Sequence, residues 1–293
     1  MPLDCTLGVD CYIEDYVDRN PEPGRQSDYA CGYNARDDHK GTDFALLSFD
    51  AMAAGVDVLA AAPGTVLRTR DSMADDRTMR GVTSQTACGN AVMIDHGAGW
   101  TTIYCHMKRG SIAVQPGQQV QAGDPLGQVG LSGMTNHPHV HIGVQHNGAV
   151  VDPFAPGPVV CNAPQQGLWA EPPPYYDTGL MTAGFSDAVP TMETAVDGTA
   201  RLDAGDPSQP LVVYTIANFL QPGDLLTLSA QGPDGTELFR KPIRFRDPQR
   251  SQMQAAGLKA PKGGWPAGDY LGEALLTRDG VVIAHRNAHV TVK

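Results

Sequence analysis

The stretch His137-Pro138-His139-Val140-His141-Ile142-Gly143-Val144 decides how the chain is read. Side chains two apart on a strand project to one face, so His139 and His141 point together while Val140 packs on the other side. Two imidazoles sharing a face are half of a metal site. Alone, such a pair is equally well explained by two half-exposed strand histidines. The residues that decide between these readings lie upstream.

His39-Lys40-Gly41-Thr42-Asp43 supplies a His-x-x-x-Asp pair, and Tyr104-Cys105-His106-Met107 places a further histidine in an apolar strand between the two motifs. Imidazole and carboxylate both suit zinc, and a catalytic zinc site keeps about three protein ligands plus an open position. The donors suffice for one such site. By strand alternation Cys105 faces away from the side that presents His106, as a disulfide or core residue. His137 reads as a rim position, and His146, His285 and His289 as surface or packing residues.

Outward from these motifs, short apolar runs alternate with turn signals: Val56 to Ala60, Gly64 to Leu67, Ala91 to Ile94, Thr101 to Tyr104, Leu126 to Val129 and Val140 to Val144. With 33 Gly, 23 Pro and 41% hydrophobic residues, the 293-residue chain reads as mostly β, and its length suggests two domains at about 150 residues each. The first 30 residues form an N-terminal arm, 31–165 a β-sheet domain, 166–185 a linker around Pro172-Pro173-Pro174, and 186–293 a small β-sandwich of immunoglobulin-like strand density. In the last, strand-like runs are Leu211 to Ile216, Leu225 to Ala230, Glu237 to Phe239, Gly268 to Leu276, Val281 to Ile283 and His289 to Val292.

A net charge of -11 leaves the chain without the basic surface that non-specific nucleic-acid or anionic-membrane binding requires, so neither is an expected partner. No apolar run is long enough for a transmembrane segment. Six cysteines without a Cys-x-x-Cys pair point to disulfides and an oxidising compartment. Met1-Pro2-Leu3-Asp4-Cys5 has neither the basic nor the apolar region of a leader, so the expectation is a mature periplasmic or secreted protein whose signal peptide has been removed.

These residues resemble the M23 zinc metallopeptidases of the lysostaphin/LytM type over roughly residues 31–156. The likeness includes the ordered motifs His39 to Ala45, Val58 to Val66, Gly89 to Gly97, Tyr104 to Met107, Val114 to Gln118 and Leu126 to Gly130. The resemblance implies a LytM-type antiparallel β-sheet and one zinc ion (Zn2+) held by His39, Asp43 and His141. It assigns His106 and His139 to catalysis and Tyr33 to the oxyanion or substrate. It implies hydrolysis of peptide cross-links or stem peptides of bacterial peptidoglycan. Cys88 and Cys105 are expected to bond across the strands flanking Gly97-Ala98-Gly99, which requires a bulge. For Cys5, Cys11, Cys31 and Cys161 three connectivities stay open. The segment from Arg68 to Cys88, with Asp71, Asp75 and Asp76, is longer than a plain hairpin and is expected to overhang the cleft.

Three other readings compete. A catalytically silent LytM-like regulator of the cell wall would lack ligands that this sequence has. A biotinyl or lipoyl carrier needs a modifiable lysine in an exposed tight turn, and neither Lys40 nor Lys108 lies in one. A zinc-binding scaffold is separated from an enzyme only by activity.

Overall fold

The computed structural model describes every residue except 33, 48, 159 and 162–165. Tyr33, the expected oxyanion residue, therefore lies outside the described residues. The chain forms two compact units, Met1–Pro174 and Tyr175–Lys293.

The first unit contains β1 (Cys11–Asp15), β2 (Thr42–Leu46), the short helix α1 (Phe49–Ala54), β3 (Asp57–Leu59), β4 (Gly64–Arg70), β5 (Asn90–Gly97), β6 (Trp100–Met107), β7 (Gln119–Val120), β8 (Pro125–Gln128), β9 (His139–His146) and β10 (Ala149–Val151). Among the described residues the main sheet runs β1-β2-β9-β6-β5-β4-β7, with β10 on β9, and every pairing is antiparallel. The period-2 pattern sets its two faces. Phe44, Val66, Val92, Ile94, Tyr104, Val140 and Ile142 are buried on one side and belong to one apolar core with Val58, Leu126 and Val129. The residues between them on the central strands, including Asp43, His139 and His141, face the other way.

The N-terminal segment is part of this unit, which corrects the expected arm of residues 1–30. Cys11 to Asp15 pair with β2 as an edge strand. Leu3 is buried and bridges Val58. Tyr16 and Tyr29 pack with Phe154, with ring centroids 5.0–5.2 Å apart. The expected linker is also shorter at both ends. Trp169 packs on Phe44 and Phe154 in the first unit, and residues 179–186 form a strand of the second. The prolines mark the break because they cannot join a ladder.

All six cysteines are paired, as Cys5–Cys11, Cys31–Cys161 and Cys88–Cys105. The third bond joins β6 to Cys88, two residues ahead of β5, where the β5–β6 register shifts between Asn90 and Val92.

The second unit consists of β11 (Gly179–Ser186), the short helix α2 (Met192–Val196), β12 (Ala204–Gly205), β13 (Leu211–Leu220), β14 (Leu225–Gln231), β15 (Glu237–Arg244), β16 (Gln249–Leu258), β17 (Gly268–Arg278) and β18 (Val281–Val292). Among the described residues these strands form two sheets, β11-β13-β16 and β12-β18-β17-β14-β15. Both contribute to one core, with Phe185 and Val213 from the first and Leu228, Ala274, Leu276 and Val290 from the second.

Candidate metal centre

Strand register assembles the centre. Asp43 on β2 lies opposite His141 on β9, and His141 lies opposite Cys105 on β6. Directly paired residues share a face, so these three form a row across the sheet. His39 reaches the row from the loop before β2. Its Nδ1 sits 2.7 Å from the Tyr16 carbonyl oxygen, to which it donates, leaving Nε2 with a lone pair aimed at Asp43 and His141. The N-terminal segment thus fixes the tautomer of His39.

Three donor atoms converge. His39 Nε2 is 3.1 Å from Asp43 Oδ1 and 3.1 Å from His141 Nδ1, and His141 Nδ1 is 2.8 Å from Asp43 Oδ1. Tetrahedral zinc with ligands at about 2.0–2.1 Å sets them about 3.3 Å apart. The spacing observed is close to this, and the donors are of the types zinc prefers, so the residues fit a metal ion. Cys5, Asp10 and Cys11 also cluster, but their sulfurs are joined in a disulfide and offer no thiolate.

The electrostatics are those of a carboxylate enclosed by cations and imidazoles. Burial works to raise the pKa of Asp43, yet His39, His139, Arg36 and His141 hold it well below the ordinary carboxylate range. Burial works against charging His39, but the Asp43 carboxylate outweighs it and raises the pKa. His141 is lowered by burial despite the same carboxylate.

Arg36 is a member of this arrangement that the sequence motifs do not mark. Its Nε lies 2.6 Å from Asp15 Oδ2, and its Nη2 bonds Asp43 Oδ2, the oxygen turned away from the donor cluster. Its signal was the charge run Arg36-Asp37-Asp38 beside His39. Arg36→Met leaves two buried carboxylates without their cation. We expect a loss of about 1–3 kcal/mol in denaturant unfolding of the metal-free protein, the cost of stranding buried charged partners when the cation itself is half exposed.

Gly41 sets the position of His141. A Cβ at residue 41 would stand 2.5 Å from both Cε1 and Nε2 of that ring and 2.6 Å from the Ile142 carbonyl oxygen. Gly41→Ala must push the imidazole or the strand aside. We expect metal affinity to fall about 10- to 100-fold, the usual effect of disturbing a group that orients a ligand. Competition with a chromogenic chelator measures this.

His139 and His106 stand beside the donor cluster, with ring centroids 4.6 Å apart, and His106 is 6.2 Å from the His141 ring. His139 Nδ1 lies 2.9 Å from the His137 carbonyl oxygen and 3.1 Å from Thr135 Oγ1. Its Nε2 is buried without a hydrogen-bond partner among the described residues, 3.5 Å from Asp43 Oδ2. His106 Nδ1 donates to the Ser132 carbonyl oxygen at 2.8 Å. Burial, with His139 and His141 adding to it, holds the His106 pKa well below that of a free imidazole, which favours the neutral ring.

The backbone at His106 corrects the expectation for Cys105. The register puts Cys105 on the same face as His141, so regular alternation would turn His106 into the core. Instead His106 adopts φ +62, a left-handed conformation that costs about 1–3 kcal/mol for a residue with a Cβ. Bonds from His106 N to the Cys88 carbonyl oxygen and from Gly130 N to the His106 carbonyl oxygen hold the turn. Its ring consequently reaches the same face as Cys105.

His137 also differs from its expected rim position. It is 3% exposed, its Nε2 donates to the Leu46 carbonyl oxygen at 2.6 Å, and its ring meets Phe49 edge-on. His96 is tied to the Pro63 carbonyl oxygen and Thr102, His146 stacks on Trp100, and His285 pairs with Glu273, none of them at the centre. The segment from 71 to 88 is pinned rather than free. Asp71 accepts from the Gly110 amide and Asp75 from the Arg109 and Leu131 amides, next to the Ser132 carbonyl that holds His106.

Residues 37–153 match the model of peptidase family M23. The chain is 35% identical over 68 residues, 23% of its length, to the cell division protein DipM of Caulobacter vibrioides, covering 11% of that protein. It is 33% identical over 103 residues, 35% of its length, to the peptidoglycan DD-endopeptidase ShyA of Vibrio cholerae, covering 19% of it. A crystal structure of a zinc-containing peptidase from Vibrio cholerae aligns with 25% identity over 47% of this chain and 38% of that one, with a TM-score of 0.32. The chain thus spans under a quarter of the length of these two curated relatives. The segment that carries His39, Asp43, His106, His139 and His141 is a peptidase family M23 domain.

Proposed function

We propose that the first unit is a zinc-dependent endopeptidase that hydrolyses peptide cross-links or stem peptides of bacterial peptidoglycan. The observation that carries this reading is the convergence of His39 Nε2, Asp43 Oδ1 and His141 Nδ1 within 2.8–3.1 Å. The buried Nε2 of His139 beside that cluster, without a partner among the described residues, supports it. His39, Asp43 and His141 would hold the ion. Zinc in such a site supplies Lewis-acid polarisation of the scissile carbonyl and lowers the pKa of water to about 7.

The chain's own residues do the rest. His139 and His106 keep Nδ1 occupied by backbone carbonyls, which leaves each Nε2 to act on the substrate side. One imidazole takes the proton of the attacking water, and the other stabilises the negative charge that develops on the carbonyl oxygen. The two are close enough to serve one bond. The ShyA likeness supports a peptidoglycan substrate. Three disulfides support an extracytoplasmic site of action. Among the described residues no helix is long and apolar enough to cross a membrane. The second unit is assigned an accessory role, positioning the substrate or a partner.

The test is digestion of purified peptidoglycan with the products identified by mass. Release of peptides cut at an internal amide bond supports the enzyme. Binding to the sacculus without any product would instead establish a silent cell-wall regulator.

A further inference from the structure

The face of the sheet that carries the donor row continues away from it as an open groove of about 300 Å³. Ala91, Met93 and Ile103, all half-buried, form an apolar floor, and Gln85, Cys88, Arg68 and Arg70 line its walls. Gln85 and Cys88 come from the long segment after β4, and the Cys88–Cys105 bond anchors that wall to β6. The wall is therefore fixed in place.

Its charge is unusual for this molecule. In a chain of net charge -11, the groove holds two arginines, and no carboxylate lines it among the described residues. Arg68 lies opposite Met93 and Arg70 opposite Ala91, so both project over the floor from β4. Arg70 donates through Nε to the Gly89 carbonyl oxygen, which orients its plane. Neither its two Nη groups nor the Arg68 guanidinium has a partner among the described residues. Unpaired guanidinium forks beside an apolar floor suit a carboxylate carried on a peptide, because planar carboxylates accept paired N–H donors from arginine.

The distance is also informative. β4 lies three strands from β9 in the sheet order, so the arginines stand roughly 14 Å from His141 at about 4.8 Å per strand. About four residues of extended peptide span that length. From these observations, and resting on the endopeptidase reading above, we infer that Arg68 and Arg70 form a subsite for a free carboxylate about four residues from the scissile bond. The preferred substrate is accordingly an acidic peptide.

The experiment uses a synthetic cross-linked stem-peptide dimer with free carboxylates and the same dimer amidated at those groups. Cleavage and direct titration of both are measured with the zinc-loaded wild type, Arg68→Gln, Arg70→Gln and the double variant, with zinc content measured for each. Each substitution should raise KM and Kd for the acidic dimer about tenfold more than for the amidated one, the worth of a charge-assisted hydrogen bond. The preference should vanish in the double variant. A wild type that does not prefer the acidic dimer, or a double variant that keeps the preference, overturns the subsite. If the wild type binds but cuts neither peptide, the endopeptidase reading falls, and the titrations alone decide the subsite by the same two outcomes.

Discussion

Replacing His141 with alanine is expected to empty the metal site and abolish hydrolysis together. The ring supplies one of three donor atoms packed within 2.8–3.1 Å, and no other imidazole is placed to substitute for it. His139 faces Asp43 from the side of the other carboxylate oxygen, at 3.5 Å. Losing a direct ligand should cost more than the roughly 10- to 100-fold typical of an outer partner, so stoichiometric zinc should disappear under ordinary dialysis. Zinc analysis of the purified variant is the check, and zinc retained at one per chain with full activity would remove His141 from the site.

His139→Ala should give the opposite pattern. Nothing in its contacts makes it part of the three-donor cluster, and its Nδ1 is already committed to the His137 carbonyl oxygen. Zinc should stay bound while the chemical step slows by roughly 100- to 10,000-fold, the usual worth of a positioned general acid or base. His106→Ala should behave alike, since its ring lies 4.6 Å from that of His139 and is likewise anchored through Nδ1. Zinc content and single-turnover rates on both variants separate the roles. Zinc lost from His139→Ala but kept in His141→Ala would reverse them.

The His-x-His strand, the His-x-x-x-Asp loop and the histidine between them were legible because each is a local pattern with a fixed period. So were most strands of the sheet interiors, where apolar residues alternate with others. Among the strands that composition did not mark, β1, β7, β11, β12 and β16 are sheet edges, whereas β2 lies inside the main sheet. An edge strand needs little apolar content of its own, because one partner supplies its ladder and its other side is open. Gln249 to Leu258, with three glutamines, pairs along β13 without any alternation to announce it.

At the centre itself, the missing elements were non-local. Arg36 joins Asp15 and Asp43 across 21 and seven residues of chain, and the Tyr16 carbonyl fixes His39 from 23 residues away. No spacing rule encodes such contacts. The burial of His137 depends on the Leu46 carbonyl oxygen, 91 residues distant. The left-handed turn at His106 breaks the alternation on which any reading of Tyr104-Cys105-His106 must rest. Strain of this kind is found where a side chain has to be re-aimed at a functional site.

The decisive measurement is the rate at which a defined cross-linked stem peptide is cut before chelation, after chelation and after zinc is restored. The expected result is cleavage of an internal amide bond that stops when the metal is removed and returns on addition of one equivalent of zinc per chain. Cleavage at an undiminished rate in the metal-free protein, or none in the protein carrying one zinc per chain, would contradict it.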